Sequence, residues 1–262
     1  MRGKCKLCLS EGDLQDSHLL PKAAYRLIQK SDGDPPVIMK STVSMHTNEQ
    51  IRDYVLCRDC EQRFNHNGEN WVMEHCFRNE DGFKLKELVD STKPLFENKL
   101  TVYSAATVPK IDLDKLAYFA ASVLWRASVH DWKSGKDKVR RLYLGKYTEE
   151  LRRYLLGETG FPPNIVIWVS IVPEQKLWSA ATPPYGDRMN ECWEYRLPFL
   201  GIFFTIFLGA RIDPVIRQMC SIRSNEKFIF SGEPATEMVI RDFGGLIAKS
   251  RPVGALSRFV AS

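Results

Sequence analysis

Two pairs of cysteines are the residues of this sequence whose types and spacing point most directly to chemistry. The first pair lies in "CKLC" at residues 5–8 and the second in "CRDC" at residues 57–60. Each C-x-x-C pair brings two thiolates within reach of one ion, and two pairs complete a tetrahedral zinc site with Zn–S bonds of about 2.3 Å. A redox-active cysteine pair is the alternative. We predict a structural Zn²⁺ bound by Cys5, Cys8, Cys57 and Cys60.

A histidine that follows the first cysteine pair is the second candidate for chemistry. His18 lies in "QDSHLLPK", three residues before Pro21. Because its imidazole changes charge near pH 7, it could act as a general base or a metal ligand. It could also be a structural residue whose ring is hydrogen-bonded at the strand end. The segment after the second cysteine pair supplies Glu61, Asn65 and Glu69 at helical spacing, which places these three on one helix face. The residues alone leave the three roles of His18 open.

Short secondary-structure elements must position these side chains. "GDLQDSHLL" and "YVLC" have the composition of short strands, "KAAYRLIQK" looks like one or two helical turns, and "CEQRF" looks like a helix start. The glycine and prolines of "SDGDPPV" indicate a loop. The Asn-Gly step in "NHNG" indicates a helix end at His66 and Asn67. We therefore expect two short strands, a loop and a helix, clamped by zinc, in residues 1–90.

This combination resembles the HNH endonucleases, which have a ββα-metal fold. That family carries a catalytic histidine on the first strand, an H-x-x-P turn, zinc knuckles at its base and a metal ligand on the helix. The resemblance covers residues 5 to about 70 and is carried by Cys5, Cys8, His18, Pro21, Cys57, Cys60 and Asn65. The family usually has Asp or His directly before the catalytic histidine, whereas this chain has Ser17, preceded by Asp16. For the family's middle asparagine, Asp53 is the nearest polar substitute and Asn48 is more distant.

The resemblance also implies a reaction and a second metal. It implies one Mg²⁺ or Mn²⁺ at the scissile phosphate, with Asn65 as a protein ligand and Asp16 or Ser17 as a second ligand. His18 and Asn65 would be the catalytic residues. Neutral His18 would accept a proton from the attacking water, and the ion would stabilise charge on the phosphorane and the leaving oxygen.

The rest of the chain is predicted to form a second unit. Residues 91–110 are rich in proline and small residues and are interpreted as a linker. Residues 111–262 are predicted to be a helical and then β-rich accessory domain, beginning with a helix capped by Asp112 or Asp114. "TEELRRYLLG" predicts a second helix after a basic loop, and "NIVIWVSIV", "FFTIFLGARI" and "KFIFSG" predict strands of a mainly antiparallel sheet. "LPFLGIFFTIFLGA" is interpreted as buried strand, since a membrane span needs about 20 residues.

Charge is unevenly distributed along the chain. Residues 1–100 have 15 Lys+Arg against 16 Asp+Glu, so the net charge of +5 comes from residues 101–262. The basic stretch "WKSGKDKVRRLYLGKY" combines cations with tyrosines, a pattern typical of nucleic-acid binding, although a solvated loop is an equal alternative. The predicted contacts are Lys138, Arg140, Arg141 and Lys146, and the next candidates are those of the C-terminal tail, Arg241, Lys249, Arg251 and Arg258.

The sequence therefore predicts an α+β protein with an HNH-like domain, acting as a metal-dependent endonuclease on nucleic acid, and we expect DNA. By analogy with the family, the system could be bacterial defence or a toxin. The alternative is an inactive zinc module that binds nucleic acid or protein. Because "MRGKCKLCLSEGD" has no apolar core of a signal peptide, we expect a cytoplasmic protein without a membrane partner. A regulatory protein partner and the oligomeric state stay open.

Overall fold

The computed structural model describes residues 1–29, 37–40, 43–46, 49–78, 81–135, 137–139, 141–249 and 251–252. This part of the chain has a mixed α+β fold, as predicted. Its helices are α1 Lys22–Gln29, α2 Arg58–Phe64, α3 Asn70–His75, α4 Lys84–Asp90, α5 Leu113–Val129, α6 Tyr147–Leu156, α7 Pro214–Gln218 and α8 Glu233–Lys249. Its strands are β1 Arg2–Lys4, β2 Glu11–His18, β3 Val37–Lys40, β4 Val43–His46, β5 Ile51–Cys57, β6 Phe77–Arg78, β7 Gly82–Phe83, β8 Leu100–Ser104, β9 Trp132–Ser134, β10 Asp137–Val139, β11 Ile165–Ile171, β12 Tyr185–Met189, β13 Cys192–Phe199, β14 Ile202–Leu208, β15 Phe228–Gly232 and β16 Arg251–Pro252.

The first sheet is antiparallel and has the strand order β1-β2-β5-β9-β10. The predicted strands over "GDLQDSHLL" and "YVLC" are its strands β2 and β5. On β5, Ile51 and Val55 are buried while Arg52 and Tyr54 are exposed, the alternation of a strand with one face on the core. At Cys57 the strand runs directly into α2, the predicted helix start. Strands β2 and β5 and helix α2 therefore form a ββα unit.

The helix does not end at "NHNG", so that prediction is wrong. Residues Asn65–Glu69 form a π-helical turn, and α3 continues the helix to His75. Gly68 is needed for close packing and not for a left-handed cap, because a Cβ atom there would lie 2.9 Å from the backbone nitrogen of Phe119. The glycine thus lets the π turn lie directly against α5.

Helix α5 confirms the predicted long helix and packs against the π turn, α3, α6 and β11. Its N-cap is Asp112, whose carboxylate accepts a hydrogen bond of 3.0 Å from the Lys115 amide. Fourteen of its residues are buried, so the helix is surrounded by protein. Helix α6 matches the second predicted helix and ends at Gly157 in the left-handed conformation.

The second sheet has the order β12-β13-β14-β11-β15-β8 and is antiparallel except for the pair β11 and β15. It contains the three predicted strands as β11, β14 and β15. "LPFLGIFFTIFLGA" is buried but is not one strand: β13 ends at Phe199 and β14 begins at Ile202. Leu200 and Gly201 form the turn between them, with φ values of 46° and 84°.

Two segments expected to lack regular structure contain strands. The predicted linker, residues 91–110, includes β8, an edge strand of the second sheet. The basic loop includes the hairpin of β9 and β10, which extends the first sheet. The sequence did not predict β9 because its alternation covers only three residues, of which Trp132 and Ser134 are buried and Lys133 is exposed. In the described part of the chain, no helix is long and apolar enough to cross a membrane.

Candidate metal centre and active site

The four predicted zinc ligands come together at one end of the ββα unit. Cys5 and Cys8 lie in the turn between β1 and β2, Cys57 ends β5, and Cys60 lies in the first turn of α2. Their four Sγ atoms all lie within 4.8 Å of one another. The Sγ atoms of Cys8 and Cys57 are 3.8 Å apart. A tetrahedron with Zn–S bonds of about 2.3 Å has edges of about 3.8 Å, so this cluster could hold zinc.

The surroundings of the cluster favour a thiolate at Cys5, whereas the hydrogen bond with Cys5 raises the pKa of Cys60 and burial raises the pKa of Cys57. A hydrogen bond from the Cys60 thiol lowers the pKa of Cys5 to about 4. The backbone amide of Cys57 donates to Cys5 Sγ over 3.3 Å. Arg152 of α6 donates from Nη1 to the carbonyl oxygen of Leu7 over 2.9 Å, which links the first cysteine turn to a helix far along the chain. The donor set and its hydrogen bonds therefore fit a dication.

His18 ends strand β2 and is half-buried. Its Nε2 lies 2.8 Å from Oε1 of Gln50. Burial lowers the pKa of His18 from 6.5, and the hydrogen bond with Gln50 opposes this change without cancelling it. The imidazole is therefore neutral at pH 7. With the amide oxygen of Gln50 as acceptor, Nε2 carries the proton and Nδ1 has the free lone pair.

A buried arginine that the sequence reasoning did not single out connects the strand with the helix. Arg126 of α5 is 1% exposed. It donates from Nη1 to the backbone carbonyl oxygen of His18 over 2.8 Å and from Nη2 to Glu69 Oε1 over 2.5 Å. The sequence shows one arginine in the otherwise uncharged second half of α5 and a glutamate four residues after Asn65, but nothing in it indicates that the two are partners. Arg126 thus fixes the end of β2 relative to the π turn.

The two residues before His18 face opposite sides of β2. Asp16 forms an ion pair with Arg52 of β5 at the sheet surface. Ser17 is 1% exposed, and its hydroxyl accepts a hydrogen bond of 3.1 Å from the Leu56 amide. Asp53, the predicted substitute for the family's middle asparagine, binds His130 Nε2 and Lys133 Nζ, each over 3.0 Å. Burial would raise the pKa of Asp53, but these two hydrogen bonds lower it. Asn48 lies outside the described residues.

Asn65 lies in a groove of about 320 Å³ between the start of α1 and the helix that contains the π turn. Pro21 and Lys22 line one side, and Asn65 and Glu69 line the other. Lys22 is close enough to His18 to contribute to lowering its pKa. The groove presents the amide and carboxylate oxygens that suit Mg²⁺, and its volume accommodates an ion that keeps several waters. Asp16 would have to leave Arg52 to become a ligand.

Glu61, Asn65 and Glu69 are all at least partly shielded from solvent, in agreement with their predicted common face. They do not share one environment, however. Burial raises the pKa of Glu61, which lies beside Ser17, whereas Glu69 pairs with Arg126. Asn65 and Glu69 both line the groove, and Asn65 is the uncharged one of the two.

The predicted nucleic-acid contacts fall on two segments. Lys138 is exposed on β10, in the same sheet as His18. Arg141 and Lys146 are exposed in the connection from β10 to α6. Arg140 lies outside the described residues, as does Arg258 of the alternative tail.

No protein-family model, curated protein or solved structure matches this chain. Among the described residues, the group of His, Cys, Asp and Glu side chains with metal-ligand spacing is the four-cysteine cluster. What the chain does must therefore be inferred from the cysteine cluster, His18 and the groove beside it.

Proposed function

We propose that this protein is a metal-dependent endonuclease of the HNH type, which hydrolyses phosphodiester bonds of nucleic acid. The observation that carries the proposal is a neutral histidine at the end of a strand in a zinc-site-bearing ββα unit. Arg126 joins the carbonyl group of that histidine to the helix whose π turn presents Asn65 to an open groove. A base on the strand and a metal ligand on the helix are the two groups that metal-assisted hydrolysis of a phosphodiester requires.

The roles of the residues follow from their hydrogen bonds. Gln50 keeps the proton of His18 on Nε2, so Nδ1 is free to accept a proton from the attacking water. Burial keeps the imidazole neutral at pH 7, which is the form that a base needs. Asn65 would hold a divalent cation, Mg²⁺ or Mn²⁺, which when bound supplies stabilisation of the charge on the phosphate and the leaving oxygen. Asp16 is the second candidate ligand, since the hydroxyl of Ser17 faces the interior.

One observation favours the alternative of an inactive zinc module. The position directly before His18 is taken by the buried Ser17, and Asp16 is already paired with Arg52. Without a ligand from the strand, the groove would hold a divalent ion weakly. The protein would then bind nucleic acid or protein through the same surface without cleaving it.

Nicking of supercoiled plasmid with Mg²⁺ or Mn²⁺ tests the proposal. His18→Ala keeps the backbone carbonyl that Arg126 binds, so we expect unchanged zinc content and melting temperature. The rate should fall by about 10²–10⁴-fold, as expected for loss of a general base. His66→Ala is the control, because His66 is an exposed histidine on the π turn. Cleavage by His18→Ala within a fewfold of the parent would assign His18 a structural role, and inactivity of both proteins would favour the binding module.

A further inference from the structure

A row of basic side chains crosses the first sheet and ends at His18. The strand register pairs His18 of β2 with Arg52 of β5, Arg52 with Lys133 of β9, and Lys133 with Lys138 of β10. One residue from each of four neighbouring strands therefore stands in line. Adjacent strands are about 4.8 Å apart, so the row is about 14 Å long.

The cations of this row face solvent. Directly paired residues in antiparallel strands point to the same side of the sheet. The side chains of Arg52 and Lys133 are each 59% exposed, and Lys138 is exposed. On β9 the two neighbours of Lys133 are buried, so the strand presents its lysine outward and its apolar side inward. The row is thus an accessible surface and not an internal ion-pair network.

Two acids accompany the row, and both can be displaced by a polyanion. Asp16 pairs with Arg52, and Asp53 pairs with Lys133. Both side chains of the Asp16–Arg52 pair are exposed, so water and salt screen this pair and it contributes little. In the second pair Asp53 is only 14% exposed, and Lys133 is the exposed partner. A phosphate oxygen can take the place of either carboxylate at the cation. Asp53 would keep a partner in that case, since His130 also binds it over 3.0 Å.

We propose that His18, Arg52, Lys133 and Lys138 form a track for one phosphodiester backbone of duplex DNA that leads to His18. This inference rests on the proposed nuclease function and adds the path of its substrate. Residues 1–100 of the chain, which include β2 and β5, carry no excess positive charge, at 15 Lys+Arg against 16 Asp+Glu. The hairpin of β9 and β10 adds two lysines to their sheet. The three positions beyond His18 are cations, so the track matches the dense negative charge of a duplex backbone. Tyr54 is exposed two residues from Arg52 on the same face of β5, so an unstacked base of a single strand is the competing occupant that the single-stranded probe tests.

Binding measured as a function of salt tests the track without cleavage. All proteins carry His18→Ala, so that a short labelled DNA duplex survives. The track variant is Arg52→Gln, Lys133→Gln, Lys138→Gln, and the control is Lys93→Gln, Lys110→Gln, Lys176→Gln, which removes the same charge at exposed positions elsewhere. Because each neutralised phosphate contributes about −0.9 to the slope of log affinity against log salt, loss of about two to three phosphate contacts should make the slope of the track variant shallower by about 1.8 to 2.7. When salt is raised from about 50 to 200 mM, the factor by which the affinity of the control falls should therefore be about 10 to 40 times the factor for the track variant.

The possible results separate the track from the proposed chemistry. Equal slopes for the track variant and the control would overturn the track, and plasmid nicking by the protein with His18 would then still support the nuclease. A flatter slope for the track variant alone, in a protein that does not nick plasmid, would support the track and contradict the nuclease. Tighter binding of single-stranded DNA or RNA than of the duplex by the His18→Ala parent would overturn the duplex as the occupant. Absence of binding by that parent would overturn the track.

Discussion

At the scale of single residues, the hydrogen bond between His18 and Gln50 decides which nitrogen of the imidazole can act as a base. An amide oxygen at 2.8 Å from Nε2 accepts a hydrogen bond and cannot donate one, so the tautomer with the proton on Nε2 and a lone pair on Nδ1 is favoured. Burial and this hydrogen bond act on the pKa in opposite directions, and burial has the larger effect. The side chain at position 50 should therefore tune both the orientation and the protonation of His18.

Replacing Gln50 by Glu should shift the pH dependence of cleavage. The carboxylate keeps an acceptor at Nε2 but adds a negative charge that favours the protonated imidazole. The pKa of His18 should rise, and the acid limb of the pH–rate profile should move up by about one to two pH units. Gln50→Leu should instead lower the rate at all pH values, since the tautomer is no longer fixed. The exposed Gln62 provides the control, and a Gln62→Glu profile that shifts equally would contradict a specific role of Gln50.

Replacing Arg126 alone should destabilise the fold more than replacing Arg126 and Glu69 together. Arg126→Met leaves the carboxylate of Glu69, which is 7% exposed, buried without its cation. Breaking a buried ion pair in this way costs about 3–5 kcal/mol. The double variant Arg126→Met, Glu69→Gln should recover part of that loss. Urea denaturation of the single and double variants measures the difference, and equal unfolding free energies would show that the pair is not coupled.

At the scale of secondary-structure elements, local pattern predicted the ββα unit and helix α5 but not what completes the site. The strands β2 and β5 and the helices α2 and α5 each have enough residues for a period to be visible. The hairpin strands β9 and β10 have three residues each, and the edge of β5 supplies their pairing. In the candidate site, cysteine spacing and the position of His18 were readable from the sequence. Gln50 and Arg126 were not, because they contact His18 across 32 and 108 residues of sequence.

The π turn depends on a close approach of two helices, which predicts a large effect of Gly68→Ala. The new Cβ would lie 2.9 Å from the backbone nitrogen of Phe119, an atom that cannot move without shifting α5. Overpacking of this kind costs about 1–3 kcal/mol. It should also displace Asn65 and reduce cleavage. Gly160→Ala is the control, since no atom lies within 4 Å of a Cβ at that position. Equal melting temperatures of the two variants would contradict the tight contact.

At the scale of the whole molecule, the zinc-site region and the second sheet share one core. A continuous cluster of buried side chains includes Cys5 near the start of the chain and Ile229 on β15. Helix α5 lies within it, and Arg152 of α6 binds the carbonyl group of Leu7 beside the first cysteine pair. The four-cysteine cluster therefore packs into the same core as the second sheet. Loss of an ion bound by these cysteines should be felt throughout the fold.

Metal removal should consequently lower the stability of the entire protein in one cooperative transition. We expect about one zinc per chain by elemental analysis, because four thiolates complete one tetrahedral site. Without the ion, the turns that carry Cys5 and Cys57 lose the link between them, and metal binding energy is also folding energy. Chelation or Cys57→Ser should lower the melting temperature. Tryptophan fluorescence and far-UV circular dichroism should give the same lowered melting temperature, because the fold melts in one transition. Cys192→Ser controls for loss of a thiol, since Cys192 lies on β13 outside the cluster. A chelated protein that melts in two steps would show instead that the zinc-site region folds independently of the second sheet.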